Sequence, residues 1–140
     1  MSFLNWISDT FGNRKQNKGN QRSPIERAEF QLGLKLSAEY VSLYSKFPKE
    51  YRYATILGIS SKHESYDIVA LTKYVRKIYK FVPSNLYVVA SLGIDDFYML
   101  QDTDGAIYEC HSSSGVRKAF DSLAKYIEYL EANNFPIMRK

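Results

Sequence analysis

Seven residues, Leu86-Tyr87-Val88-Val89-Ala90-Ser91-Leu92, constrain this chain more than any other segment. The run is apolar except for Ser91 and follows the loop Pro83-Ser84-Asn85. A short, nearly continuous run of this kind suits a buried central strand. Its companions come next in the chain. Phe97 to Gln101 reads as a strand, and Asp102-Thr103-Asp104-Gly105 as a hairpin turn with Asp-Gly at its end. Ala106 to Cys110 reads as the returning strand, and His111 to Gly115 as a loop.

Helices flank these strands. Ser23-Pro24-Ile25-Glu26 combines a cap, a proline at the first helical position and a glutamate that completes a capping box. Ile25, Ala28 and Leu32 continue the pattern, and Gly33 stops it. Ser37 caps a second helix, whose apolar face is Tyr40, Val41, Leu43, Tyr44 and Phe47, with Pro48 as its end. Tyr53 to Ile59 reads as a strand and residues 60–65 as a turn. Tyr66 to Leu71 reads as a short strand leading into a helical segment, Thr72 to Tyr79, although Tyr74, Val75, Ile78 and Tyr79 suit a strand as well. Asp121 or Ser122 caps a last helix that turns Leu123, Tyr126, Ile127 and Leu130 to the core. The fold class is therefore α+β: a mainly antiparallel sheet with two N-terminal helices and one C-terminal helix.

The first 22 residues stand apart. Phe3, Leu4, Ile7 and Phe11 fall at helical spacing, with Trp6 widening the stripe. Residues 12–22 contain no hydrophobic side chain and read as a linker. A short amphipathic helix on a basic tether can touch a membrane surface, a partner or its own domain. Nine residues bury too little for firm membrane anchoring. The division is thus 1–22, helix plus linker, and 23–140, the domain.

Charge follows the same division. The net charge is +4, but residues 1–24 hold +3 of it, so nucleic-acid binding by the folded part gains little support. One cysteine, Cys110, cannot form an intrachain disulfide, no apolar run is long enough to span a membrane, and no secretory signal is recognisable, so a cytoplasmic location is expected.

Motifs for catalysis are missing. His63 and His111 are far apart in sequence, and no CxxC or HxxxH pattern exists for a metal. Cys110 and His111 are neighbours in a strand and point to opposite faces, which spoils them as a nucleophile and base. There is no Walker loop, no GxGxxG, no GxSxG, and no calcium-loop spacing among Asp95, Asp96, Asp102 and Asp104; Ser112-Ser113-Ser114-Gly115 reads as a surface loop, with a phosphate-binding nest as the alternative. Neither an enzyme, a cofactor nor a metal is expected.

The charge map points instead to protein binding. From Phe81 to Val116 there are five acidic residues (Asp95, Asp96, Asp102, Asp104 and Glu109) and no Lys or Arg. From Lys46 to Lys80 there are eight basic residues and three acidic ones. If the fold keeps these stretches apart, one face is acidic and carries tyrosines, which suits a basic protein partner. The expected contact residues are Asp95, Asp96, Tyr98, Asp102, Asp104, Tyr108 and Glu109. The plainer reading is that the aspartates form turns and the tyrosines fill strands.

An ordered set of motifs then resembles a known family. Ile25-x-x-Ala28-Glu29-x-x-Leu32-Gly33-x-x-Leu36-Ser37-x-x-Tyr40-x-x-Leu43 is similar to the opening of SUKH domains of the Smi/Knr type. Ile56-Leu57-Gly58, Asp67-Ile68-Val69-x-x-Thr72-x-x-x-Arg76, Pro83-x-x-Leu86-x-Val88-Val89-Ala90 and Gly93-x-Asp95-Asp96-Phe97-Tyr98-x-Leu100 follow in the family's order. Gly105-x-Ile107-Tyr108 and Ser122-Leu123-x-x-Tyr126-Ile127-x-x-Leu130 complete it, over about residues 25–131. Two positions depart: Ser37 stands where proline is usual, and Gln101 interrupts the common Leu-Asp. The resemblance implies an α+β fold without catalysis. Many bacterial members are immunity proteins that bind and neutralise a toxin, often a nuclease; some fungal relatives are regulators linked to cell-wall signalling. For this chain it implies a cognate toxin domain with a basic surface as partner, or, alternatively, host proteins bound by a regulatory scaffold.

Overall fold

In the computed structural model, residues 23–59, 63–93 and 96–133 are described. The expected N-terminal helix 3–11, its linker and Asp95 lie outside them.

Helix α1 (Pro24–Leu32) starts as its sequence demands. The Ser23 hydroxyl accepts the Glu26 N–H at 3.1 Å, and the Glu26 carboxylate accepts the Ser23 N–H at 3.2 Å. Gly33, at φ 70°, ends it in the left-handed region, where a side chain is disfavoured. Ser23→Ala should cost about 1 kcal/mol of stability, read from the urea midpoint. Helix α2 (Ala38–Leu43) is capped by Ser37, which accepts the Tyr40 N–H at 2.9 Å. It is shorter than the expected helix reaching Pro48, because the chain tightens into a 3-10 turn over Tyr44–Lys46. Val41, expected on the apolar face, is exposed; Tyr40 is buried, and its hydroxyl donates to the Leu57 carbonyl at 2.7 Å.

Six strands form one antiparallel sheet in chain order: β1 (Lys49–Glu50), β2 (Thr55–Ile56), β3 (Tyr87–Ser91), β4 (Phe97–Gln101), β5 (Ile107–His111) and β6 (Gly115–Phe120). Tyr87, Val88, Val89 and Ala90 are all buried, so the expected central strand is confirmed. Between β2 and β3 runs helix α3 (Ile68–Ile78), and helix α4 (Leu123–Ala132) closes the described chain. Ser122 is the cap of α4, with its hydroxyl 3.1 Å from the Lys125 N–H it accepts.

Two further expectations are corrected, and one strand is added. The strand expected over Tyr53–Ile59 shrinks to Thr55–Ile56: a tight turn, with Tyr51 N–H on the Ala54 carbonyl at 2.7 Å, takes the preceding residues and pairs β2 with β1. The strand expected from Tyr66 to Leu71 is instead the end of a 3-10 turn (Glu64–Tyr66), the cap Asp67 and the first turn of α3. Asp67 caps that helix, accepting the Ala70 N–H at 2.9 Å, and Ile68, Val69, Thr72 and Val75 lie buried at helical spacing. The segment after Gly115, not assigned to any element, is β6. It is an edge strand whose consecutive Arg117 and Lys118 break the alternation that marks a half-buried strand.

A buried polar network ties these parts together. Gln101 is 0% exposed and its amide is fully used. Its oxygen accepts from the Tyr87 hydroxyl at 2.6 Å and the Ser37 hydroxyl at 3.0 Å. Its nitrogen donates to the Gly105 carbonyl at 3.0 Å and the Glu39 carboxylate at 3.2 Å. The Ser37 N–H in turn donates to the Tyr87 hydroxyl at 2.9 Å. A proline at 37 has no such N–H. The two positions that depart from the SUKH pattern are therefore bonded to each other. Glu39 also accepts the Leu123 and Ala124 N–H groups at 2.7 and 2.8 Å, which holds α4 against α2.

Candidate partner-binding surface

Strand register decides which of the expected contact residues can act together. Across β4 and β5, Tyr98 faces Cys110, Met99 faces Glu109 and Leu100 faces Tyr108. Residues directly opposite share a face and neighbours alternate. Tyr98 and Tyr108 thus lie on one face of the ribbon and Glu109 on the other. Asp96 and Asp102 stand at opposite ends of β4, roughly 20 Å apart at about 3.3 Å per residue.

Three of the four described acidic residues, Asp96, Asp102 and Glu109, have a local task. Asp96 precedes β4 at φ 66°, a left-handed position that aspartate tolerates, and so is not part of the strand. Its carboxylate accepts a hydrogen bond from the Tyr79 hydroxyl just after α3. Asp102 accepts the Ala106 N–H at 3.0 Å, which shapes the expected hairpin, and the Tyr108 hydroxyl, also at 3.0 Å. Those carboxylates hold the Tyr79 and Tyr108 phenols above their ordinary pKa, so both stay protonated as donors. Glu109 pairs with Arg117 of β6 at 3.0 Å. Asp104, exposed at the hairpin tip, has neither a hydrogen bond nor an ion pair among the described residues.

The two charged stretches of the sequence therefore do not make one uniform acidic face. β6 places Arg117 opposite Glu109 and Lys118 opposite Tyr108. What the fold gathers at one end is a hairpin cluster of Asp102, Asp104 and Tyr108. Asp96 and half-buried Tyr98 sit at the other end, and Glu109 is engaged across the sheet. Residues of β6 were missed at the sequence level. The one signal for them was Gly115, which takes φ 82° where the β5–β6 turn re-enters the sheet.

The chemistry of the remaining reactive groups is quiet. Cys110 is buried and its thiol is pushed up to about 11 by desolvation, which suppresses the nucleophilic thiolate. Register puts it on the face opposite His111, whose Nδ1 accepts the Ser113 N–H at 3.2 Å. Among the described residues no three His, Cys, Asp or Glu side chains gather where they could hold a metal, and no helix is long and apolar enough to cross a membrane.

No curated protein and no solved structure matches the chain significantly. The model of one protein family, described as the SMI1 / KNR4 family (SUKH-1), matches residues 22–129, and the helix-capped antiparallel sheet spans that same stretch. With the match covering most of its length, the chain belongs to the SMI1/KNR4 family (SUKH-1).

Proposed function

We propose that this chain is a non-enzymatic, cytoplasmic protein-binding domain of the immunity type, which binds a cognate toxin domain and blocks its basic working surface. Family membership over residues 22–129 is the observation that carries the reading. The hairpin cluster supports it. Asp104 is exposed and free of hydrogen bonds and ion pairs among the described residues, beside Asp102 and the aromatic Tyr108. A negative charge so placed can steer a cationic partner, and an adjacent tyrosine can anchor it. Occlusion at the usual interface size would cover roughly 800 Å² of each partner.

Co-expression with the product of the adjacent gene, where that product is toxic, provides the test. Growth should be restored, and a failure to restore it removes the immunity reading. Within a working pair, Asp104→Lys and Asp96→Lys should each weaken binding by roughly tenfold, while Glu128→Lys and Glu131→Lys on α4 should leave it nearly unchanged. Asp104→Lys is the cleaner variant, because Asp96→Lys also breaks the bond to Tyr79. Equal effects at all four positions would remove the acidic surface but not the toxin. A second reading rests on the family match beginning only at residue 22. A regulatory scaffold of the cell-wall signalling type would use residues 3–11 to dock on host proteins. Deleting residues 1–22 abolishes binding under that reading and spares neutralisation under the first.

A further inference from the structure

We propose that the open edge of β6 is a docking site for an extended, acidic segment of another protein, which joins the sheet as a seventh strand. Among the described residues the sheet ends at β6, with β5 as its one neighbour. A strand in that position presents a row of backbone N–H and C=O groups that an incoming chain can pair.

Hollows flank this strand along its length. One of about 420 Å³ lies beside Phe81, Pro83, Leu86, Tyr108, Val116 and Lys118. A second, of about 280 Å³, is lined by Phe97, Glu109, His111 and Arg117. The third, of about 460 Å³, lies toward the end of the strand at Lys118, Phe120, Asp121 and Lys125. Tyr108 and Lys118 share one face of the sheet and Glu109 and Arg117 the other, and Arg117 borders both of the first two hollows, so these reach to either side of the edge. An added strand sends alternate side chains to opposite faces, so it can fill hollows on both. Phe81, 45% exposed, offers an apolar wall for one of those side chains.

Charge selects the occupant. The Arg117 and Lys118 side chains are 75% and 55% exposed. Their present partners, Glu109 and Asp121, form surface pairs that are weak and exchangeable. A second copy is a poor fit: antiparallel pairing of β6 with itself, centred on the strand, sets Arg117 and Lys118 against the same cations of the copy. Adjacent basic residues on an edge are a known guard against self-association. Glutamate or aspartate in the incoming strand turns that guard into attraction. This site is separate from the Asp104 hairpin tip and holds whether or not the partner is a toxin.

The probe is a capped synthetic peptide of eight residues alternating valine and glutamate, added to the full chain and followed by amide hydrogen exchange. Added protection is expected within residues 115–120. Two control peptides, one with lysine for glutamate and one N-methylated along one edge, should bind roughly tenfold more weakly. The double variant Arg117→Glu, Lys118→Glu should reverse the preference toward the lysine peptide while protection in β3 and β4 stays intact. The proposal is overturned by protection that is absent or falls elsewhere, or by equal affinity for the two charge types. Protection of 115–120 that grows with protein concentration in the absence of peptide also overturns it, because the occupant is then a second copy. Toxin neutralisation by the same double variant reports separately on the proposed function.

Discussion

Gln101→Leu is expected to lower the unfolding free energy by about 3–4 kcal/mol, measured by urea denaturation. Leucine is close in size and more apolar, so volume is not the cause. The cost comes from groups left behind. The Tyr87 and Ser37 hydroxyls lose their shared acceptor, and the Gly105 carbonyl and Glu39 carboxylate each lose a donor. Burial pushes the Tyr87 phenol up to about 12, so it remains a donor throughout the pH range of the experiment. Each buried group without a partner costs about 1–3 kcal/mol, reduced by relaxation. A loss below about 1 kcal/mol would show that water reaches the site. Ser37→Ala removes the α2 cap as well as its bond to Gln101, so by itself it should cost about 1–2 kcal/mol. Because the two side chains share one network, the double variant should lose less than the sum of the single losses.

Gly58→Ala should cost about 3 kcal/mol by the same measurement. Here the cause is collision. A Cβ on Gly58 would come within 2.8 Å of Pro48 Cδ and 2.9 Å of the Phe47 carbonyl carbon and oxygen. Two of those three atoms are backbone and cannot swing aside. Gly58 cannot move away freely either, since its N–H donates to the Tyr66 carbonyl and its own carbonyl accepts from Ile68, both at 2.9 Å. Its smallness lets the chain pass between the Phe47–Pro48 corner and the start of α3. A near-neutral result would mean that this corner is loose enough to yield.

Much of the fold was legible because the deciding interactions are local. The capping box at Ser23, the left-handed stop at Gly33 and the Asp-Gly hairpin each lie within a few residues of chain. The burial of β3 was legible as well, because an apolar run leaves it no exposed face. The α3 start was misread where two patterns compete. Tyr66 to Leu71 suits a strand by composition, and the Asp67 cap decides for a helix.

The proposed acidic contact surface was less legible. Absence of Lys and Arg between Phe81 and Val116 is a property of sequence order, whereas charge acts through space. An antiparallel sheet brings β6 back beside β5, so Glu109 meets Arg117 just beyond the end of that stretch. Of the residues singled out, Asp104 keeps its charge unengaged, and Asp96, Asp102 and Glu109 hold the structure at their own positions.

By itself, then, the sequence carried the family in its ordered motifs, and it determined the order of most elements and the identity of the central strand. The elements rest on periodicity and on caps that act over one turn. Only the tertiary structure decided three other matters: that Ser37 and Gln101 are bonded partners, that Gly58 must be small, and that, among the described residues, the basic strand β6 is the last of the sheet. Each depends on residues from separate parts of the chain meeting at contact distance, and no local pattern encodes such a meeting.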